Sequence, residues 1–151
     1  MNNSKQICVV GVGNTLRSDD GVGIFICSEL EKIKLPGLSV ITTHQLHIEL
    51  VEDLKEFDTI IVVDAGKDLT KDVSFYPVNE QNSSIIHSSH NIDATLLYSL
   101  LQKLYPSDRS FFICAVQTQS FEFGETLSPL AISNAEKAIQ MLTVFIEKEA
   151  T

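Results

Sequence analysis

Ile7-Cys8-Val9-Val10-Gly11-Val12-Gly13-Asn14-Thr15-Leu16-Arg17-Ser18-Asp19-Asp20-Gly21 is the stretch that decides the fold. Its first part is continuously apolar, the pattern of a strand covered on both faces. Beyond it Val22, Ile26, Leu30 and Ile33 recur at helical spacing. The spacing predicts a helix over Ser18 to Ile33 with Ser18 as its N-cap. The loop between strand and helix is where open α/β sheets carry their chemistry. Here it holds two adjacent carboxylates.

The alternation continues outward. Leu38 to Thr42 reads as a second strand, and Leu46, Leu50, Val51 and Leu54 as the buried face of a second helix. Thr59 to Asp64 (T-I-I-V-V-D) is the clearest central strand, β-branched until it meets an aspartate. Val73 to Val78 reads as a strand near an edge, because Pro77 cannot donate to a ladder. Ile92 to Leu104 gives a third helical face and Phe111 to Val116 another buried strand. Ser128-Pro129 opens the last helix, with proline in a first turn that needs no donor.

Strand and helix alternation of this kind argues an α/β fold. The expectation is a three-layer sandwich: a mainly parallel twisted sheet with helices on both faces. The 151 residues, 44% hydrophobic, suit one domain spanning 1–151 with a continuous core.

Charge and composition exclude several classes. A formal charge of −9 without a Lys/Arg run disfavours nucleic acid and anionic membrane. No apolar stretch reaches the roughly 18 residues of a membrane span. The polar start, Met1 to Gln6, lacks signal-peptide architecture. Cys8, Cys27 and Cys114 are odd in number, widely spaced and set among apolar residues, so they read as reduced core cysteines. These features together point to the cytoplasm.

The polar residues expected at the strand C-termini form a short set: Asn14, Asp19, Asp20, His44, Gln45, Asp64, His87, His90, Gln117 and Gln119. From these Asp20, Asp64 and His90 make the most coherent group. Two carboxylates and one imidazole suit a divalent transition ion, and three protein ligands leave positions open for water or substrate. Each member also has a plainer explanation. Asp19 and Asp20 would complement a helix dipole as first-turn acids. Asp64 would cap a turn through Ala65-Gly66, and His90 would be a loop histidine. His47, read as helical, is taken as solvated or packed. Gly11-Val12-Gly13 begins a dinucleotide fingerprint, but Leu16 stands where its third glycine belongs. Neither a P-loop nor a G-x-S-x-G elbow occurs.

Three blocks in this order carry a family resemblance. G-V-G-N-T-L-R-S-D-D-G-V-G (Gly11 to Gly23), I-I-V-V-D-A (Ile60 to Ala65) and S-S-H-N (Ser88 to Asn91) resemble the hydrogenase maturation endopeptidases. The resemblance implies a nickel-dependent protease that removes the C-terminal extension of a nickel-loaded nickel-iron hydrogenase large-subunit precursor. It assigns the metal-ligand and catalytic positions to Asp20, Asp64 and His90, and makes the precursor the partner, with nickel supplied by that precursor. T-H-Q-L-H-I-E-L (Thr43 to Leu50) and F-E-F-G-E-T-L-S (Phe121 to Ser128) are similar to the branch that serves NAD-linked bidirectional hydrogenases. On that likeness His44 and Gln45 contact substrate, or else simply hold their loop. The chain is expected as a monomer or weak dimer. The competing functions are a non-catalytic adaptor for the precursor and, more distantly, a nucleotide-binding module.

Overall fold

A computed structural model describes residues 4–79 and 92–150. Its elements run β1 (Ile7–Val12), a 3-10 turn (Ser18–Gly21), α1 (Val22–Ile33), β2 (Leu38–Thr43), α2 (Leu50–Leu54), β3 (Thr59–Gly66), β4 (Val73–Pro77), α3 (Ala94–Leu104), β5 (Ser110–Gln117) and α4 (Pro129–Ala150). The five strands form one sheet in the order β2-β1-β3-β5-β4. All neighbours pair in parallel except β4, which runs antiparallel to β5 at one edge.

Strand alternation divides the core in two. Ile7, Val9, Ile61, Val63, Cys114 and Val116 face α1 and α4. Cys8, Val10, Ile60, Val62 and Phe111 face α2 and α3. With both faces covered, β1 is buried throughout, which is why its sequence shows no polar alternation. The expected three-layer α/β sandwich is therefore the observed one.

The strand order reverses at β1: β2 lies on one side of it and β3 on the other. Loops leaving β1 and β3 at their C-terminal ends thus diverge, and a crevice opens between them. Asp20 follows β1, and Asp64 lies within the last turns of β3, paired with Ala115.

Several local expectations are corrected. Ser18 does not cap α1. It has φ 50°, begins the 3-10 turn, and α1 starts four residues later at Val22 with Gly21 as its N-cap. The second helix is confined to Leu50–Leu54, so Leu46 is buried from an irregular segment and His47 lies in the preceding turn. The strand expected to end on Asp64 continues two residues further, to Gly66.

Glycines bring α1 down onto the sheet. A Cβ on Gly23 would meet the Val63 carbonyl oxygen at 2.6 Å and that of Val12 at 2.8 Å. One on Gly11 would meet the Cys27 sulfur and the Gly23 carbonyl oxygen, each at 2.6 Å. The first turn of α1 therefore rests directly on β1 and β3, immediately below Asp64. Alanine normally stabilises a helix interior over glycine by about 1 kcal/mol. Gly23→Ala is expected to do the opposite, costing at least about 2 kcal/mol from backbone overlap. Urea unfolding of the two proteins measures the sign and size.

Candidate active site

The loop from Gly13 to Gly21 is organised by its own polar groups. The Asn14 side-chain oxygen accepts from Leu16 N at 2.9 Å, and the Asn14 carbonyl accepts from Arg17 N at 3.0 Å. Asn14 N donates to Asp20 Oδ2 at 2.9 Å. Gly13 sits at φ 152°, with the space where a side chain would go filled by the Asp20 carbonyl. The turn is wrapped around Asp20, which argues against the pyrophosphate cradle that a nucleotide-binding module would need.

Asp19 and Asp20 are neighbours with opposite tasks. Successive residues of a 3-10 turn point about 120° apart, so adjacent acids diverge. Asp19 turns inward and is 0% exposed. Its Oδ2 accepts from Gln119 N at 2.9 Å, Ser120 N at 3.1 Å and Ser128 Oγ at 2.7 Å, and its Oδ1 accepts from Ser128 N at 2.7 Å. Burial works to raise its pKa, but the bonds from Ser128, Gln119 and Ser120 together prevail and hold it below the usual carboxylate range. Asp19 is therefore more than the first-turn acid of the sequence reading: it is a buried tie between two loops. With all these donors already bound to it, it is also a poor general base.

Further bonds close the same seam. Ser18 Oγ donates to the Glu122 carbonyl at 2.7 Å, Ser18 N to the Gly124 carbonyl at 2.7 Å, and Arg17 Nε to the Phe121 carbonyl at 3.1 Å. Ser128 in turn caps α4, its Oγ accepting from Ala131 N at 3.1 Å. The loops after β1 and β5 thus form one ordered rim.

Asp64 lies across the crevice from Asp20. Its Oδ1 accepts from Ala65 N at 2.8 Å. Burial pushes its carboxyl up to about 7; the Ala65 bond opposes this and the nearby charge of Asp20 adds to it. A carboxyl that feels its neighbour's charge in this way shares a site with it. Each carboxylate commits one oxygen to a backbone N–H. Among the described residues, the other oxygen of each makes no hydrogen bond, so the pair fits as oxygen donors to a divalent ion. Among the same residues, no three His, Cys, Asp or Glu side chains gather closely enough to hold a metal. His90 and His87 lie outside the described residues.

His44 lines a cleft of about 410 Å³ with Gly13, Asn14, Leu16 and Thr43, beside the Asp20 loop. Gln45 is exposed, and its carbonyl accepts from Thr43 Oγ1 at 2.8 Å, so its backbone holds the loop. Gln117 is committed to structure: its Oε1 accepts from Leu69 N at 2.7 Å. His47 is solvated and bonds Glu49 at 3.0 Å.

Comparisons with known proteins agree with this fold. No family model matches the chain. A protein of Methanocaldococcus jannaschii, described provisionally as a hydrogenase maturation protease, is 23% identical over 98% of this chain and 92% of its own. The hydrogenase maturating endopeptidase HybD of E. coli shares the fold with a TM-score of 0.78 at 20% identity, covering 95% of this chain and 93% of that one. The NiFe hydrogenase maturation protease HycI of Thermococcus kodakarensis gives 0.73 at 21% identity, with 97% and 94% covered. At these identities the solved structures show a shared fold, and the sequence likeness to the archaeal protein extends over nearly the whole chain. The G-V-G-N-T-L-R-S-D-D-G-V-G block is the one that builds the Asp19–Asp20 turn. Among the described residues, no helix is long and apolar enough to cross a membrane.

Sequence reasoning missed the inward turn of Asp19 and the part played by Ser128. The available signal was the S-D-D-G step itself, since a tight turn cannot aim two consecutive carboxylates at one crevice. Because the folded pKa of Asp19 is depressed, its contribution is complete above the unfolded value near 3.9 and is lost as pH falls through the lower folded value. Asp19→Asn is expected to cost roughly 2–4 kcal/mol at pH 7, with the difference shrinking below about pH 4. Denaturant unfolding of both proteins from pH 8 to pH 3 checks both parts.

Proposed function

We propose that this protein is an endopeptidase that removes the C-terminal extension from the large-subunit precursor of a nickel-iron hydrogenase after nickel has been inserted. The observation that carries the proposal is the pairing of Asp20 with Asp64 at the switch point, each with an uncommitted carboxylate oxygen. The fold and the sequence relative support it. His90, from S-S-H-N, is the third proposed ligand.

On this reading the nickel arrives as part of the substrate, and Asp20, Asp64 and His90 are the groups that receive it. Held there, a divalent ion would supply Lewis-acid chemistry, polarising a carbonyl or lowering the pKa of a bound water. The chain's own residues prepare for that role. Asn14 N–H fixes one Asp20 oxygen, and Ala65 N–H fixes one Asp64 oxygen. Burial and the Asp20 charge both disfavour a bare carboxylate at Asp64, which a cation received there would relieve. Cys8, Cys27 and Cys114 are poor nucleophiles, since all are buried and burial pushes each thiol up to about 12. His44 and Gln45 are proposed substrate contacts, and the T-H-Q-L-H-I-E-L and F-E-F-G-E-T-L-S runs support the NAD-linked branch.

Incubation with purified nickel-loaded precursor tests the proposal by electrophoresis and mass spectrometry. Wild type should shorten the large subunit. Asp20→Ala, Asp64→Ala and His90→Ala should each lose at least about a hundredfold in rate, as expected when a metal-site group is removed. Tight binding without shortening would instead make the protein an adaptor.

A further inference from the structure

A second cleft, of about 730 Å³, opens on the other side of Asn14 from His44. The loops after β1, β3 and β5 form its walls, with Asn14, Arg17, Lys67, Phe121, Glu122 and Phe123 among the lining residues. Asn14 borders both clefts and holds Asp20 through its N–H, so an occupant of this cleft lies beside the proposed reacting centre.

The chemistry of the walls is unusual for this protein. Phe123 is 92% exposed, the most exposed of its large apolar side chains among the described residues. Lys67 Nζ stands 4.5 Å from the Phe121 ring centroid. Among the described residues Arg17 and Lys67, like Lys34, Lys71 and Lys103, have no carboxylate partner, but only Arg17 and Lys67 line this cleft. Arg17 uses only Nε internally, on the Phe121 carbonyl, which leaves the outer face of its guanidinium free among the described residues. Two uncommitted cations beside a bare aromatic ring are thus set in a chain of net charge −9. Glu122 is the single acid on the lining.

The cleft is also preformed. The Arg17 and Ser18 bonds and the buried Asp19 carboxylate tie the β1 loop to the β5 loop. A ligand entering it does not bear the cost of ordering those walls.

We propose that this cleft binds the released part of the substrate, the C-terminal extension itself. An extended segment would lay an apolar side chain on Phe123 and present an anionic group to Arg17 and Lys67. Every such extension ends in an α-carboxylate, so it always carries at least one anion. The proposal rests on the peptidase reading for its substrate and extends it by dividing the rim: extension on the Phe123 side, precursor body on the His44 side.

The test uses Phe123→Ala, Lys67→Glu and the double variant, all at exposed positions, with thermal midpoints as the folding control. Steady-state cleavage of the nickel-loaded precursor should show KM raised about tenfold in the double variant and kcat within about twofold, the pattern of lost uniform binding. A synthetic peptide with the sequence of the extension should inhibit wild type competitively. It should require about tenfold more to inhibit the double variant, and should weaken when its C-terminus is amidated. Unchanged KM and unchanged inhibition would overturn the proposal. If wild type cleaves no precursor, the peptidase reading fails on its own. Calorimetric titration of the same peptide then still decides the cleft: about tenfold tighter binding to wild type supports it, and equal binding overturns it.

Discussion

A buried carboxylate with four donors is the interaction on which the rest of this site depends. Asp19 accepts from Gln119, Ser120 and both polar groups of Ser128 while fully removed from water. An ion in that position is costly unless its acceptor capacity is filled, and here it is. Ser128 also begins α4, so the negative charge lies at the positive end of a 22-residue helix. One side chain therefore couples the loop after β1, the loop after β5 and the last helix. Removing it would release all three together.

This tie has a consequence for its neighbour. With Asp19 locked inward, the 3-10 turn leaves Asp20 on the crevice side, where Asn14 N–H completes its orientation. From below, Gly23 allows α1 to lie against the Val63 carbonyl, so the turn and the end of β3 approach within side-chain reach. Asp64 then lies between a hydrophobic strand, one N–H and a second carboxylate, and its affinity for a proton rises. Such a pair is held at a cost in stability that the Asp19 network and the two cores offset. A divalent ion is the kind of ligand that would relieve it.

The sequence made the layers legible because both sheet faces are covered. I-C-V-V and T-I-I-V-V have no polar alternation, and the helices carry clean 3.6-residue periods. The reversal of strand order at β1 follows from that alternation only in part, yet it is what makes Asp20 and Asp64 neighbours. Asp64 was legible from burial alone, since a charge after four β-branched residues calls for an explanation. Asp19 was not, because its partners lie a hundred residues away in a connection whose sequence, Q-T-Q-S-F-E-F-G, has no period. Ser18 departs from the helix-cap pattern for a related reason: its hydroxyl binds the Glu122 carbonyl, a long-range partner, instead of its own helix. Leu46 carried a helical spacing that tertiary burial could satisfy without a helix.

The central claim is that Asp20 and Asp64 face one another across the switch point. Carbon-13 NMR titration of the Asp64 carboxyl, in metal-free wild type and in Asp20→Asn, tests it most directly. The account predicts a wild-type pKa of about 7 that falls when Asp20 loses its charge, yet stays above the usual aspartate value because the burial remains. A wild-type value close to 4, unmoved by Asp20→Asn, would contradict it.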